Sequence, residues 1–194
     1  MLPYAVLHNN MGERHVGLRK IIVCCGMALG FAGTALAQVP PTGASDLAGQ
    51  QALLKSDNPK EAANKKLVFD MYRIFVNGGH TEEAAKYFTE SYIQHNPNVI
   101  TGRDAFVAYV KQTRPAVAIP ATVGFPVISI MAEGDMVMIA TVSYAPDPTQ
   151  PGTKYASTHF DLYRIENGKI AEHWDHVAKD PSKAHFNPNT ETKK

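Results

Sequence analysis

The chain has 194 residues, 44% hydrophobic, 19% charged and 9% aromatic, which fits one ordinary globular domain and excludes collagen, a coiled coil and a disordered chain. Nineteen Lys and Arg against eighteen Asp and Glu leave a net charge of +1, so no summed field recruits a nucleic-acid backbone or an anionic bilayer. The two cysteines, Cys24 and Cys25, are adjacent and by themselves form neither a disulfide framework nor a zinc site.

Arg19 and Lys20 precede a run of apolar and small residues from Ile21 to Leu36, and Ala35, Leu36 and Ala37 give the small-x-small pattern that signal peptidase cleaves. Residues 1–37 therefore read as a signal peptide cut before Gln38, and the protein as periplasmic or secreted. A membrane-spanning helix needs about 20 strongly apolar residues, and this run is shorter and diluted by glycines, so no membrane partner is expected after cleavage. What remains, residues 38–194, has no cysteine and a net charge of about −1.

Residues 38–57 are rich in Pro, Gly, Ser and Ala and carry little periodicity, which reads as a flexible lead-in. A domain is expected over 58–178. Asn58, Pro59 and Glu61 are a cap, a first-turn proline and an acidic residue three after the cap, and Leu67, Val68, Met71, Tyr72, Phe75 and Val76 follow at helical spacing. Thr81 caps a shorter helix through Phe88 with Glu82 and Glu83 in its first turn. Tyr92 to Pro97 reads as extended, because the residue before a proline is pushed out of the helical region. Gly102, Arg103 and Asp104 open a third helix that Pro115 stops.

After Pro120 the period changes to two. Runs at 121–132, 136–145, 155–166 and 169–177 are rich in Val, Ile, Thr and Tyr and are separated by turn residues. Helices first and consecutive strands behind predict an α+β fold, a curved antiparallel sheet packed against three N-terminal helices. Residues 179–194 read as a polar tail.

The stretch Ser157 to Val177, STHFDLYRIENGKIAEHWDHV, puts His159, Asp161, His173, Asp175 and His176 on two strands joined by a tight turn. Register decides which of them meet. A two-residue loop at Asn167 and Gly168 pairs Asp161 with Trp174 and His159 with His176. A three-residue loop with Gly168 as a left-handed bulge residue pairs Asp161 with His173 and His159 with Asp175, placing all four ionisable groups on one face. Grouped in this way they perturb one another's proton affinities, as acid and base catalysts require; the plainer alternative is a solvated outer face. No HxH or HExxH spacing supports a metal, and no cofactor is expected.

The order helix, helix, YIQHNP, Gly102-Arg103-Asp104 with its helix, then HFDLYRIENGKIAEHWDHV resembles the SnoaL-like polyketide cyclase branch of the NTF2-like superfamily over about residues 60–178. The resemblance implies an NTF2-like cone around a deep, mostly apolar pocket, a homodimer, and acid–base chemistry without metal or Schiff base. It implies that Asp175 is the catalytic acid and base. Where the family has a partner histidine on the preceding strand this chain has Asp161, and His159 and His173 are the imidazoles that could replace it. Tyr92, His95 and Asn96 would edge the pocket mouth and bind the ligand, and Trp174 would line the pocket. The expected function is aldol cyclisation, isomerisation, dehydration or hydrolysis of a carbonyl compound, the alternative being a binding protein with no turnover.

Overall fold

The computed structural model describes residues 39–180. The expected signal peptide, and all but the start of the expected tail, lie outside the described residues. Among the described residues, no helix is long and apolar enough to cross a membrane.

The expected flexible lead-in is ordered against the sheet. Asp46 caps a short helix, α1 (Leu47–Ala52), its side chain accepting from the Gly49 N–H at 2.8 Å. Ala44 exchanges two backbone hydrogen bonds with Val127, at 2.8 and 2.9 Å. The Gln50 side chain is fully buried. It donates to the carbonyls of Ala44 and Val123 and accepts from the Val123 N–H at 2.8 Å, tying the segment before the second strand to the N-terminal strap. The sequence hides this anchoring because the helix is too short to show a stripe and its most buried side chain is polar.

The longest helix, α2 (Pro59–Met71), starts as the capping residues dictate, with the Asn58 side chain accepting from the Lys60 N–H. It continues as a widened π-helical stretch over Tyr72–Asn77. Val68, Met71, Tyr72 and Phe75 face inward and are buried. A 3₁₀ turn (Thr81–Glu83) and α3 (Ala84–Tyr87) lead into β1 (Phe88–Gln94), and α4 (Arg103–Thr113) follows it. The remaining chain is β2 (Val127–Glu133), β3 (Met136–Pro146), β4 (Lys154–Glu166) and β5 (Lys169–Asp175).

The strands form one curved, unclosed sheet in the order β1-β5-β4-β3-β2. All neighbours are antiparallel except β1, which joins β5 in parallel. The antiparallel sheet expected from the four runs after Pro120 is formed by β2 to β5, and the parallel edge strand β1 is added to it. Chain between Phe88 and Tyr92, expected to be helix end and connection, is strand instead, because its aromatic and β-branched residues suit a half-buried pleated edge. Register shifts in the β1·β5, β4·β5 and β2·β3 pairs bend the sheet. Its concave side receives the helices, with Phe75 of the π-helical stretch packed on Phe88 and Phe106 at ring-centroid distances of 5.0 and 5.4 Å. Such pairs each contribute about 1 kcal/mol beyond the area they bury.

The β4–β5 turn is the two-residue loop of the first register read in the sequence, but the pairing beyond it matches neither register. Asn167 (φ 50°) and Gly168 (φ 73°) both adopt left-handed conformations, the signature of a two-residue type I′ loop, so the three-residue loop is not formed. Next to the turn, Glu166 pairs with Lys169 and Ile165 with Ile170. Between that pair and Arg164–Glu172 the register slips by one, leaving Ala171 as the extra residue. Beyond the bulge Asp161 opposes Asp175 and Tyr163 opposes His173. The bulge thus restores by another route the parity that puts His159, Asp161, His173 and Asp175 on one face, while changing which of them are partners.

Candidate functional site

That shared face lines a cavity of about 460 Å³ between the sheet and the helices. His159, Asp161, His173 and Asp175 lie on its wall together with Tyr92 and Asn96. Tyr72 and Tyr163, which on their spacing read as core, and Gln94, a polar candidate of the segment Tyr92 to Asn96, complete the polar cluster.

Asp161 is its hub. The carboxylate is 4% exposed. One oxygen accepts from His173 Nε2 at 2.8 Å and lies 3.3 Å from His159 Nε2, and the other accepts from the Tyr72 hydroxyl. Burial alone would push this carboxyl up, but the bonds from His159 and His173, the charge interaction with His173 and the bond from Tyr72 outweigh it and hold Asp161 well below the usual carboxylate range. Asp161 is therefore ionised and fully engaged. Its bond raises His159 above the ordinary histidine range, against a smaller opposing effect of burial. Tyr72, Tyr92 and Tyr163 are all pushed well above 10, first by burial and then by the Asp161 charge, so each stays a neutral hydroxyl.

The tautomer of His173 follows from a chain of bonds. The Asn96 N–H donates to Gln94 Oε1 at 3.0 Å, which fixes the orientation of that amide and turns its NH₂ group toward His173 Nδ1 at 2.8 Å. Nδ1 must accept, so Nε2 carries the hydrogen and donates to Asp161. The ring stacks on Tyr163 with centroids 4.5 Å apart and planes at 12°. Gln94 is within reach of a period-two reading, because Tyr92, Gln94 and Asn96 alternate with Ile93 and His95. Tyr72 is not, since on its helical stripe it looks like plain core.

Asp175 differs from Asp161. Its Oδ2 accepts from Asn96 Nδ2 at 2.6 Å, while its Oδ1 is buried and has no hydrogen-bond partner among the described residues. Nearby, the Tyr92 oxygen accepts from Gln94 at 3.2 Å, leaving its own hydrogen free to donate.

His95 and Trp174 do not reach the cavity. With His173 and Asp175 pointing in, Glu172 and Trp174 must point out. His95 stacks on Trp174 at 4.6 Å and pairs with Glu172 at 3.0 Å on the outer face. The ligand-binding roles expected of these two are corrected accordingly. Trp174 instead ends a cross-strand row with Leu162, Met138 and Met131.

Asp161, His173 and Asp175 each offer an atom within 4.8 Å of the others, the spacing of a metal-binding group. Both nitrogens of His173 are already committed, one accepting from Gln94 and one donating to Asp161, so the ring has no lone pair to give an ion without breaking this network.

The profile of the SnoaL-like polyketide cyclases matches residues 66–180. The chain belongs to this family. Among solved structures it is similar to TsrD from Streptomyces laurentii, 20% identical over 63% of this chain and 90% of the other, with a TM-score of 0.41. A candidate SnoaL-like polyketide cyclase from Jannaschia sp. CCS1 is 18% identical over the same shares, with a TM-score of 0.46. An epoxide hydrolase of LEH-like type from M. tuberculosis is 13% identical over 58% of this chain and 80% of the other, with a TM-score of 0.43. A comparison with curated proteins finds no match. The fold of this SnoaL-like chain is the α+β one, a curved sheet packed against helices, that the sequence led us to expect.

Proposed function

We propose that this SnoaL-like protein is an exported enzyme that moves protons on a carbonyl compound, with Asp175 as the base. The observation that carries the reading is that Asp175, a residue of the cavity wall, has a buried Oδ1 with no hydrogen-bond partner among the described residues. A carboxylate oxygen left without a donor is costly unless a ligand supplies the hydrogen. In the proposed step Asp175 removes a proton from the carbon next to the carbonyl, and the electron pair moves to the carbonyl oxygen. Tyr92, kept neutral by burial, donates to that oxygen as its charge develops. The enolate carbon then attacks a second carbonyl and closes a ring, the new alkoxide taking the proton back from Asp175, or the enolate takes that proton back at another, conjugated carbon and isomerises. Asp161 has no free oxygen for this work; it orients His173 and His159. The experiment is deuterium uptake from D₂O at the carbon beside the carbonyl of the neutral ketone 1-phenylhexan-1-one. The SnoaL-like chain is expected to accelerate uptake, and a rate equal to that of buffer would refute catalysis in favour of a protein that only binds.

Two further expectations belong to this reading. Export is supported by Arg19, Lys20 and the Ala35-Leu36-Ala37 pattern, and mass spectrometry of the secreted chain should find Gln38 first; an uncut chain retained in the cytoplasm would refute it. Assembly as a homodimer is supported by the outer-face row, where Met131 is 49% exposed and Phe160, one pair further along the sheet, 45%. Light scattering should give a dimer mass for the wild type and a monomer mass for Leu162→Glu, and a monomeric wild type would overturn it.

A further inference from the structure

Four arginines fall among the described residues, and three of them have carboxylate partners: Arg73 with Asp70, Arg103 with Asp104, and Arg164 with Glu166 and Glu172. The fourth, Arg114, has none among the described residues, and it alone of the four lines the cavity. Arg114 is half-buried at the cavity, so a ligand entering it meets a guanidinium that no carboxylate of the described residues has taken.

Its backbone is held in place. The Arg114 N–H donates to the Val110 carbonyl at 2.8 Å and ends α4. The residues after it are clamped against the Gly78–His80 turn: the Val117 N–H donates to the Gly78 carbonyl at 2.9 Å, and His80 Nε2 bonds the Val117 carbonyl at 2.8 Å. Gly79 (φ 69°) lets these segments meet, since a Cβ there would stand 2.7 Å from the Pro115 oxygen and 3.0 Å from the Arg114 oxygen. A clamped backbone lowers the ordering cost of binding.

Position gives the residue a direction as well. The N-terminal end of α4 is tied to the acid–base cluster, where the Gly102 N–H donates to the Tyr92 carbonyl at 2.9 Å. Eleven helical residues at about 1.5 Å each then carry the chain roughly 16 Å along the helix before Arg114. The cavity is therefore polarised, with the anionic Asp161 and the Asp175 carboxyl toward one end, Arg114 toward the other, and Val76, Phe106 and Phe125 among the apolar residues of its wall. An anionic group is disfavoured beside the carboxyls and favoured at the guanidinium.

We propose that Arg114 binds a carboxylate of the substrate, so that the cavity takes a keto acid with its carbonyl at Asp175 and Tyr92 and its acid group at Arg114. This rests on the carbonyl reading of the same cavity. A guanidinium offers paired donors that match a carboxylate's two oxygens, which is what distinguishes an acid from its ester.

The test compares 6-oxo-6-phenylhexanoate with its methyl ester by calorimetric titration. Wild type is expected to bind the acid at least about tenfold more tightly than the ester, roughly 1.4 kcal/mol. Arg114→Met should abolish that preference and Arg114→Lys should keep part of it. Equal affinities in the wild type, failure of the acid to bind, or a preference that survives in Arg114→Met would overturn the proposal. The wild-type ratio decides even if a variant fails to fold. Deuterium uptake by the neutral ketone reports separately on the base: uptake without acid preference sinks only the Arg114 assignment, and acid preference without uptake sinks only the catalytic reading.

Discussion

Asp175→Asn is expected to lower the rate of deuterium uptake into 1-phenylhexan-1-one by roughly 10²–10⁴-fold, the usual worth of a positioned general base. The amide is nearly isosteric and can still accept from Asn96 Nδ2 through its oxygen, so the β1 and β5 ends stay joined. What it cannot do is take a proton. The substitution also removes a carboxylate oxygen that is buried without a partner, so stability should be unchanged or slightly higher. Affinity for the ketone should stay within about tenfold, because a neutral ligand gains little from the lost charge. Uptake that survives at near wild-type rate would assign the base to another group and remove the central step of the mechanism. A collapse of folding would show instead that Asp175 is structural, and urea unfolding of the same preparation separates these outcomes.

The cavity's inner face was legible in the sequence only as one of two registers, and it came out as in the bulged one because the extra residue is present, at Ala171 rather than in the turn. Residues 159, 161, 173 and 175 share parity with any even pairing, and Ala171 supplies the extra residue that Gly168 was expected to supply. Which residues oppose one another was not legible, since a bulge at Ala171 leaves no turn residue to mark it. His95 was drawn into the pocket by the family resemblance and Trp174 by its aromatic side chain, although alternation from His173 already places Trp174 outside. The network around Asp161 was legible only in part. Its histidines lie on the hairpin, but Tyr72 comes from a helix 89 residues earlier and Gln94 bonds His173 across 79 residues, distances over which no local pattern carries information. The parallel β1 went unread for a related reason: its pairing with β5 joins segments far apart in the chain. The departure from the family's histidine at position 161 also gains a physical account. Asp161 need not act as a protonated donor, because three side chains hold it ionised and His173 beside it carries the donor.

The second large effect is on stability, at Asp161→Asn. This change keeps the shape but replaces an acceptor of three bonds with a group whose NH₂ faces either the Tyr72 hydroxyl or the imidazole N–H groups. A buried donor set against a donor loses its bond and retains its desolvation cost, so the variant should unfold about 3 kcal/mol more easily near neutral pH. The pH dependence should change with it. Asp161 is lowered in the folded chain, so its contribution is present above the ordinary aspartate value of about 3.9 and is lost as pH falls toward the folded value. His159 is raised, so its contribution is complete below about 6.5 and is lost as pH rises through its folded value. That second contribution is small, below ~1 kcal/mol, because His159 is 31% exposed and the His176 ring lies beside it, tilted, at 4.7 Å. Wild-type stability should therefore fall on both sides of a plateau between about pH 4 and pH 6.5, whereas Asp161→Asn should lose the part of the alkaline slope that His159 supplies, keeping that of His80, which Glu82 raises independently, and much of the acid slope. Urea unfolding midpoints across this range measure it. Equal midpoints for the two proteins, or an alkaline slope in the variant as steep as in the wild type, would show that the Tyr72, His159 and His173 bonds to this carboxylate do not hold the site together.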